Sequence, residues 1–303
     1  MSRLRSMLPL GIPAAALFVV GWTAAASAPP DAPPASAPFE VNDCRMCHEK
    51  AVSGMAGTPH SHLDMKCASC HGDAAGHLKS EVDKGEVGPI VSIKKLNPEA
   101  VDQTCLTCHD KARQANWGGG VHERRGVSCV SCHSVHEFQS TKAQLKTPRD
   151  SETCFTCHNQ IRAKGMRVSH HPVREGALNC VSCHDPHDGT KPKMIAAESV
   201  NEKCLQCHTE KRGPFLWEHA PVRESCLNCH DPHGSNHEKL LAAKQPYLCQ
   251  RCHLNTRHPG TLYDGTNTIA GASVSNRAVE HACKNCHQNV HGGNAPSGPY
   301  LGR

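Results

Sequence analysis

The sequence predicts a mainly α chain of short helices and long loops, with little regular structure, built as tandem copies of one unit. Three observations predict it. Gly and Pro number 24 and 21 in 303 residues, which suits loops. Hydrophobic residues reach 38% only with Cys counted, and aromatics are 4%, too few for the core of a barrel or a doubly wound sheet. All 20 Cys fall in one five-residue pattern that recurs along the chain in two alternating contexts. Something other than aliphatic side chains must therefore fill the interior.

The chain reads in three parts. Residues 1–28 read as a secretory signal peptide: Arg3 and Arg5 give a positive start, and Leu8 to Trp22 is a short apolar run. Ala24-Ala25-Ala26 offers a small-residue cleavage site, with Ala26-Ser27-Ala28 as a second. The arginines are not adjacent, so a twin-arginine signal is not read. Residues 29–43 are a Pro/Ala-rich linker. The working domain is 44–303, in an exported compartment.

Each cysteine belongs to a Cys-x-x-Cys-His motif. The pairs are Cys44 and Cys47, Cys67 and Cys70, Cys105 and Cys108, Cys129 and Cys132, Cys154 and Cys157, Cys180 and Cys183, Cys204 and Cys207, Cys226 and Cys229, Cys249 and Cys252, and Cys283 and Cys286. Their histidines are His48, His71, His109, His133, His158, His184, His208, His230, His253 and His287. No cysteine is left over for a disulfide framework, and neither disulfides nor zinc explains a His after every pair. The pattern is that of covalent c-type haem attachment. Residues i and i+3 share one side of a helical turn, so both sulfurs reach the vinyl groups of one porphyrin. The adjoining imidazole then serves as the proximal iron ligand. Ten haems would supply the missing core, and folding would be coupled to their attachment.

The contexts of the motifs alternate. Each even-numbered motif is followed closely by another His: His77, His136, His187, His233 and His291. Ahead of the even-numbered motifs lie His60, His122, His171, His219 and His258. The chain is thus five copies of a di-haem unit, starting near residues 44, 105, 154, 204 and 249, and such repetition predicts an elongated array. Ten spare histidines match ten haems, whereas Met46, Met55, Met65, Met166 and Met194 are too few for Met ligation. Bis-histidine ligation is the economical expectation, with some irons taking Met, Lys or water as the alternative. His62, His170, His237 and His281 are left over; His62 is an alternative to His60, His170 to His171, and His281 to His258. Two imidazoles on opposite faces of one haem hold their Cα atoms roughly 12 Å apart, and three residues span about 10–11 Å fully extended. His136 therefore does not suit the haem of His133, and the same holds for His187 with His184 and His233 with His230. Each should serve a neighbour, which draws the haems together.

Iron with two histidine ligands has no open position, so it passes electrons and does not bind substrate. Catalysis is not expected, and no catalytic residue is assigned. Gly118 to Gly120 follows no strand signal and reads as a turn beside His122, and Trp117 and Trp217 are expected to pack on haem faces. The bare chain carries a net charge of +5, but haem propionates outweigh that excess. No nucleic-acid patch is read.

Particular stretches carry a resemblance: "KRGPFLWEHAPVRESCLNCHDPHGS" at 211–235, "PYLCQRCH" at 246–253, "CKNCHQNVHGGNAPSG" at 283–298 and "HPVREGALNCVSCHDPH" at 171–187. From Cys44 to Arg303 the chain resembles the periplasmic decahaem c-type cytochromes of the DmsE/MtrA/PioA type. The resemblance implies an elongated multihaem cytochrome c in the periplasm, associated with the outer membrane through a β-barrel porin. It implies electron exchange with a periplasmic or inner-membrane cytochrome, an extracellular multihaem cytochrome, or extracellular iron, other metals and other acceptors. It also implies the same ten spare histidines, His60, His77, His122, His136, His171, His187, His219, His233, His258 and His291, as distal ligands. Two departures stand out: the segment from His60 to Cys67 is short, and His281 sits directly before the last motif. The alternatives are a soluble periplasmic shuttle feeding a terminal reductase, and a reductase with one open haem.

Overall fold

The structure is a computed structural model, and it describes residues 41–62, 67–79, 88–140, 142–253, 283–296 and 298–301. The leader, nearly all of the linker, His258 and His281 lie outside the described residues. The described residues form short helices and turns joined by loops, with isolated β-bridges and no sheet. None of these helices is long and apolar enough to cross a membrane.

The helices mark the motifs. α1 (Val41–Gly54) contains the first motif and kinks at His48 (φ −118°). α2 (Pro98–Leu106), α3 (Asp150–Phe155), α4 (Val200–Leu205) and α5 (Tyr247–Gln250) each carry the first Cys of an odd-numbered motif. Their starts are encoded locally. Asn97 caps α2 by accepting from the Ala100 N–H at 2.8 Å, with Pro98 at the first position. Ser199 caps α4 through the Glu202 N–H at 3.1 Å. The even-numbered motifs sit on single turns, such as Cys129–Cys132 and Cys180–Ser182. There Ser131 and Ser182 hydroxyls accept from the Ser128 and Asn179 N–H groups at 3.1 Å.

The hydrophobic core is thin. The buried hydrophobic residues among those described are Val52, Ala74, Val101 and Trp117, and no large side chain is fully enclosed. Such a chain cannot offset its ordering entropy by aliphatic burial alone. What recurs instead is a set of joints between successive motif pairs. Asp231 pairs with Lys164 at 2.6 Å, and Arg113 lies 3.9 Å from Asp185. Ser169 and Ser235 exchange backbone hydrogen bonds of 3.0 and 2.7 Å, as do Trp217 and Gly293 at 2.9 and 3.0 Å. Close backbone approach demands glycine at these joints. A Cβ on Gly54 would sit 2.0 Å from the His136 carbonyl oxygen, and one on Gly234 would sit 2.0 Å from that of Lys164.

Candidate functional site

The motif backbone has one geometry throughout. The His N–H donates to the carbonyl of the first Cys, at 2.9 Å in the second motif (His71 to Cys67) and 3.0 Å in the third (His109 to Cys105). It does so again at 3.0 Å for His253 to Cys249 and 2.9 Å for His287 to Cys283. This i to i−4 bond closes one helical turn, so both sulfurs and the imidazole emerge from a single compact corner.

The two sulfurs of a motif are not equally placed. The first cysteine of every motif is half-buried. The second faces outward: Cys47, Cys108, Cys157, Cys207, Cys252 and Cys286 are exposed, as are Cys70 and Cys183, while Cys132 and Cys229 are half-buried. The physical reason lies in the turn. The first cysteine belongs to the segment that packs on the neighbouring motif, as α2 does on Cys129–Cys132. The second comes three residues later, where that segment ends and the chain turns away. At Cys108 and Cys157 the hydroxyls of the adjoining Thr107 and Thr156 lie 3.8 Å from the sulfur. A thioether holds its group by a covalent bond, so an exposed second sulfur suits attachment at a corner and not enclosure in a pocket.

The histidines then meet in pairs. Among the described residues, nine motif histidines each face one of the spare histidines. His48 faces His77 with ring centres 6.1 Å apart, and His71 faces His136 at 6.2 Å. His109 faces His60 at 6.0 Å, and His133 faces His187 at 6.0 Å. His158 faces His122 at 6.2 Å, and His184 faces His233 at 6.1 Å. His208 faces His171 at 6.3 Å, His230 faces His291 at 6.2 Å, and His253 faces His219 at 6.1 Å.

The separation tests whether an iron fits between the rings. A metal–imidazole bond of about 2.0 Å and a further ~1.1 Å to the ring centre put opposed ring centres about 6 Å apart. All nine pairs match that span.

The pairing follows a rule. His136, His187, His233 and His291 reach back to the preceding even-numbered motif, and His60, His122, His171 and His219 reach forward to the next odd-numbered one. Among the described pairs, only His77 meets a histidine of its own motif pair. Reach along the chain directs His136, His187 and His233 to neighbours, and their rings lie against His71, His133 and His184. The leftovers separate as well. His171, not His170, faces His208. His170 is engaged elsewhere: its Nδ1–H donates to the Arg167 carbonyl at 2.6 Å, and Nε2 lies 3.1 Å from Glu175. Those bonds, Glu175 foremost, raise the His170 imidazole above its usual range, and the same contact lowers the Glu175 carboxyl to about 2. The His237 ring meets no other histidine among the described residues.

Second contacts orient the rings. A carbonyl can only accept, so an Nδ1 bonded to one carries the proton and leaves Nε2 as the free donor pair. His133 Nδ1–H donates to Ala143 at 2.6 Å, His184 to Lys193 at 2.9 Å, and His230 to Lys239 at 2.8 Å. Each acceptor opens a two-residue left-handed turn: Ala143 and Gln144 (φ 65° and 49°), Lys193 and Met194 (54° and 53°), Lys239 and Leu240 (56° and 58°). For non-glycine residues that conformation costs roughly 1–2 kcal/mol each, a strain spent on aiming a carbonyl at the imidazole. The spare histidines are tied to one another in the same way. His122, His171 and His219 bond the carbonyls of Pro186, Pro232 and Val290 at 3.3, 2.9 and 3.0 Å, each the residue before a second spare histidine. Burial pushes the imidazoles of His187, His233 and His291 down, helped by His133, His184 and Lys211 respectively, so they stand neutral and able to ligate at neutral pH.

Sequence reading missed these acceptor turns. Their one signal is an apolar residue 11 or 12 positions after the motif histidine: Leu145, Ile195 and Leu241, each in a bridge to it. It also placed the tryptophans only against haem. Trp117 packs on His122 and His187, with ring centres 6.4 and 6.3 Å away, while its indole N–H donates to Asp102 at 2.6 Å. The Trp217 indole donates to the Ala295 carbonyl at 3.0 Å and so ties down the C-terminal segment. Gly118 to Gly120 forms the expected turn, with Gly119 at φ 76°.

The thiols of successive motifs also perturb one another. Cys129 lowers the thiol of Cys105 and Cys154 lowers that of Cys180, while burial first and then Cys226 and Cys283 raise those of Cys204 and Cys249. Burial likewise raises the second thiols Cys132, Cys183 and Cys229, with smaller contributions from Cys157, Cys207 and Cys252 of the next pair.

Comparison with known proteins accords with this geometry. A family model described as a doubled CXXCH motif matches residues 170–213 and 219–258, and one described as cytochrome c-type protein NrfB-like matches residues 67–149. The chain is 29% identical over 180 residues to cytochrome c-type protein NrfB of Escherichia coli, covering 54% of this chain and 91% of that protein. It is 38% identical over 281 residues to multiheme cytochrome MtrA of Shewanella baltica, covering 88% of this chain and 82% of that protein. The chain therefore belongs to the MtrA-type family of multihaem c-type cytochromes, electron-transfer proteins with covalently bound haem.

Proposed function

We propose that the chain is an exported decahaem cytochrome, built of five interlocked di-haem units, that relays electrons in the periplasm and across the outer membrane with a β-barrel partner. The observation that carries the reading is the set of opposed histidine pairs, 6.0 to 6.3 Å between ring centres. Haem iron, when bound, supplies reversible one-electron transfer. The cysteines hold each group by two thioethers. His48, His71, His109, His133, His158, His184, His208, His230, His253 and His287 bind from one side. His77, His136, His60, His187, His122, His233, His171, His291 and His219 bind opposite the first nine of these in that order. His258, outside the described residues, is assigned to His287, with His281, also outside them, as the alternative. Two strong imidazole ligands per site leave no open position for substrate and favour low potentials.

The contacts between motifs support a route that follows chain order. In the units that start at Cys105, Cys154 and Cys204, a side chain on the helix of the first motif accepts from the backbone that opens the second, so the two attachment corners abut. The interlocked histidines keep that order rigid, because each internal unit is ligated by both of its neighbours.

The conduit is tested by mild detergent extraction of outer membranes from the native host, following the haem-stained band. Co-purification with a β-barrel protein in comparable amount is expected. A band wholly in the soluble periplasmic fraction would leave a diffusing shuttle in its place.

Ligand choice at residues 170 and 171 gives a sharper test. His171→Ala is expected to turn one haem high-spin in the ferric absorption spectrum. His170→Ala, which removes only the Glu175 and Arg167 contacts, should leave that spectrum unchanged. The reverse result would reassign the ligand.

A further inference from the structure

Two of the inter-motif contacts share a register, and a third is similar. Asp102, in α2, lies three residues before Cys105, and its Oδ1 accepts from the Cys129 N–H at 2.8 Å. Asn201, in α4, lies three residues before Cys204, and its Oδ1 accepts from the Cys226 N–H at 2.8 Å. Asp150, in α3, lies four residues before Cys154, and its Oδ2 accepts from the Val181 N–H at 3.5 Å. Each ties the helix of one motif to the start of the next.

Chemistry explains which side chain sits where. The second oxygen of Asp102 accepts the Trp117 indole N–H at 2.6 Å, so both oxygens face donors, as a carboxylate requires. The amide nitrogen of Asn201 donates to the carbonyls of Val222 and Arg223 at 2.9 and 3.1 Å, where a carboxylate would be repelled. Asp102 is 4% exposed, and among the described residues no lysine or arginine pairs with it. It is a negative charge fixed in a poorly screened place beside Cys105 and Cys129.

We propose that Asp102 is a potential-setting residue: its buried carboxylate stabilises the oxidised form of the haems attached at Cys105 and Cys129. Asn201 withholds that charge from the equivalent pair at Cys204 and Cys226. The two motif pairs share one scaffold and differ in a single buried charge, so the chain carries a built-in step in potential. This inference rests on the proposed haem attachment. Asp102 touches no iron ligand; it acts through the field it places on its neighbours.

The test is spectroelectrochemical titration of the fully loaded protein, wild type beside Asp102→Asn and Trp117→Phe. Asp102→Asn keeps the acceptor for Cys129 and removes the charge. It should raise the midpoint of at least one haem, about tenfold in its reduction equilibrium, or about 59 mV for one electron. Trp117→Phe keeps the charge, strips one hydrogen bond from it and keeps an aromatic ring in the place that faces His122 and His187, so it should not raise that midpoint. A purely structural role would shift both variants the same way. Unchanged midpoints in a fully loaded Asp102→Asn protein would overturn the proposal. If that variant fails to mature, site-resolved NMR titration of the wild type decides: the haems at Cys105 and Cys129 must lie below those at Cys204 and Cys226, and equal or reversed order overturns it. A wild-type protein without c-type haem at these cysteines would instead fail the underlying reading.

Discussion

His187→Ala is expected to turn one haem in ten from low-spin to high-spin, and to raise the potential of that haem alone. The His187 ring stands 6.0 Å from that of His133, with 18° between their planes, and burial keeps it neutral. Removing it leaves His133 in place, still held by the Ala143 carbonyl at 2.6 Å, and opens the opposite face. Loss of a strong axial donor favours the reduced iron. The expected readouts are a new high-spin ferric band of about one-tenth amplitude and its reversal on adding free imidazole. Because Pro186 also anchors the His122 ring, a smaller disturbance should appear at the site of His158, whose ring faces His122 at 6.2 Å. A spectrum without any high-spin component would show that His187 ligates nothing.

Gly234→Ala should be among the most damaging small substitutions in the chain. Gly234 has φ +143°, and an added Cβ would stand 2.0 Å from the Lys164 carbonyl oxygen and 2.7 Å from its carbon. Both are backbone atoms, so relief requires moving a joint, and overpacking of that kind costs about 1–3 kcal/mol or more. The segment that must move carries His233, whose ring lies 6.1 Å from His184 and within 9° of parallel. The expected result is a lower midpoint of thermal unfolding together with a high-spin fraction from the site of His184. Gly176→Ala supplies the control. Its φ is +81° with nothing within 4 Å of the added carbon, so it should cost only about 1 kcal/mol and leave the spectrum intact. Equal behaviour of the two variants would remove the close joint from the account.

These two sites show what the chain makes legible and what it conceals. The attachment motifs are readable because covalent chemistry fixes spacing: two sulfurs and one imidazole on a single turn admit few sequences. Spacing says nothing of exposure, so the outward position of second cysteines such as Cys47 and Cys286 emerges only once the turns are placed against their neighbours. The loop-rich architecture follows from an apolar content too small for a conventional core, and the described residues bear it out with short helices and no sheet. The spare histidines can be counted from sequence, and reach alone directs His136 away from His133. Their individual partners cannot be read that way, because each pairing closes a long loop: His60 meets His109 and His219 meets His253 across separate motif pairs. The carbonyl acceptors at Ala143, Lys193 and Lys239 are hidden for another reason. They are backbone groups in a strained turn, and three different local sequences adopt it. Gly234 looks like any loop glycine until the Lys164 carbonyl is placed against it.

The central claim is that two histidines hold each of ten irons. It is tested most directly by near-infrared magnetic circular dichroism of the fully oxidised protein, normalised to haem per polypeptide. Ten haems per chain, all low-spin with two imidazole ligands, is the expected result. Fewer than ten haems, a high-spin component, or the signature of a methionine ligand in the unmodified protein would contradict it.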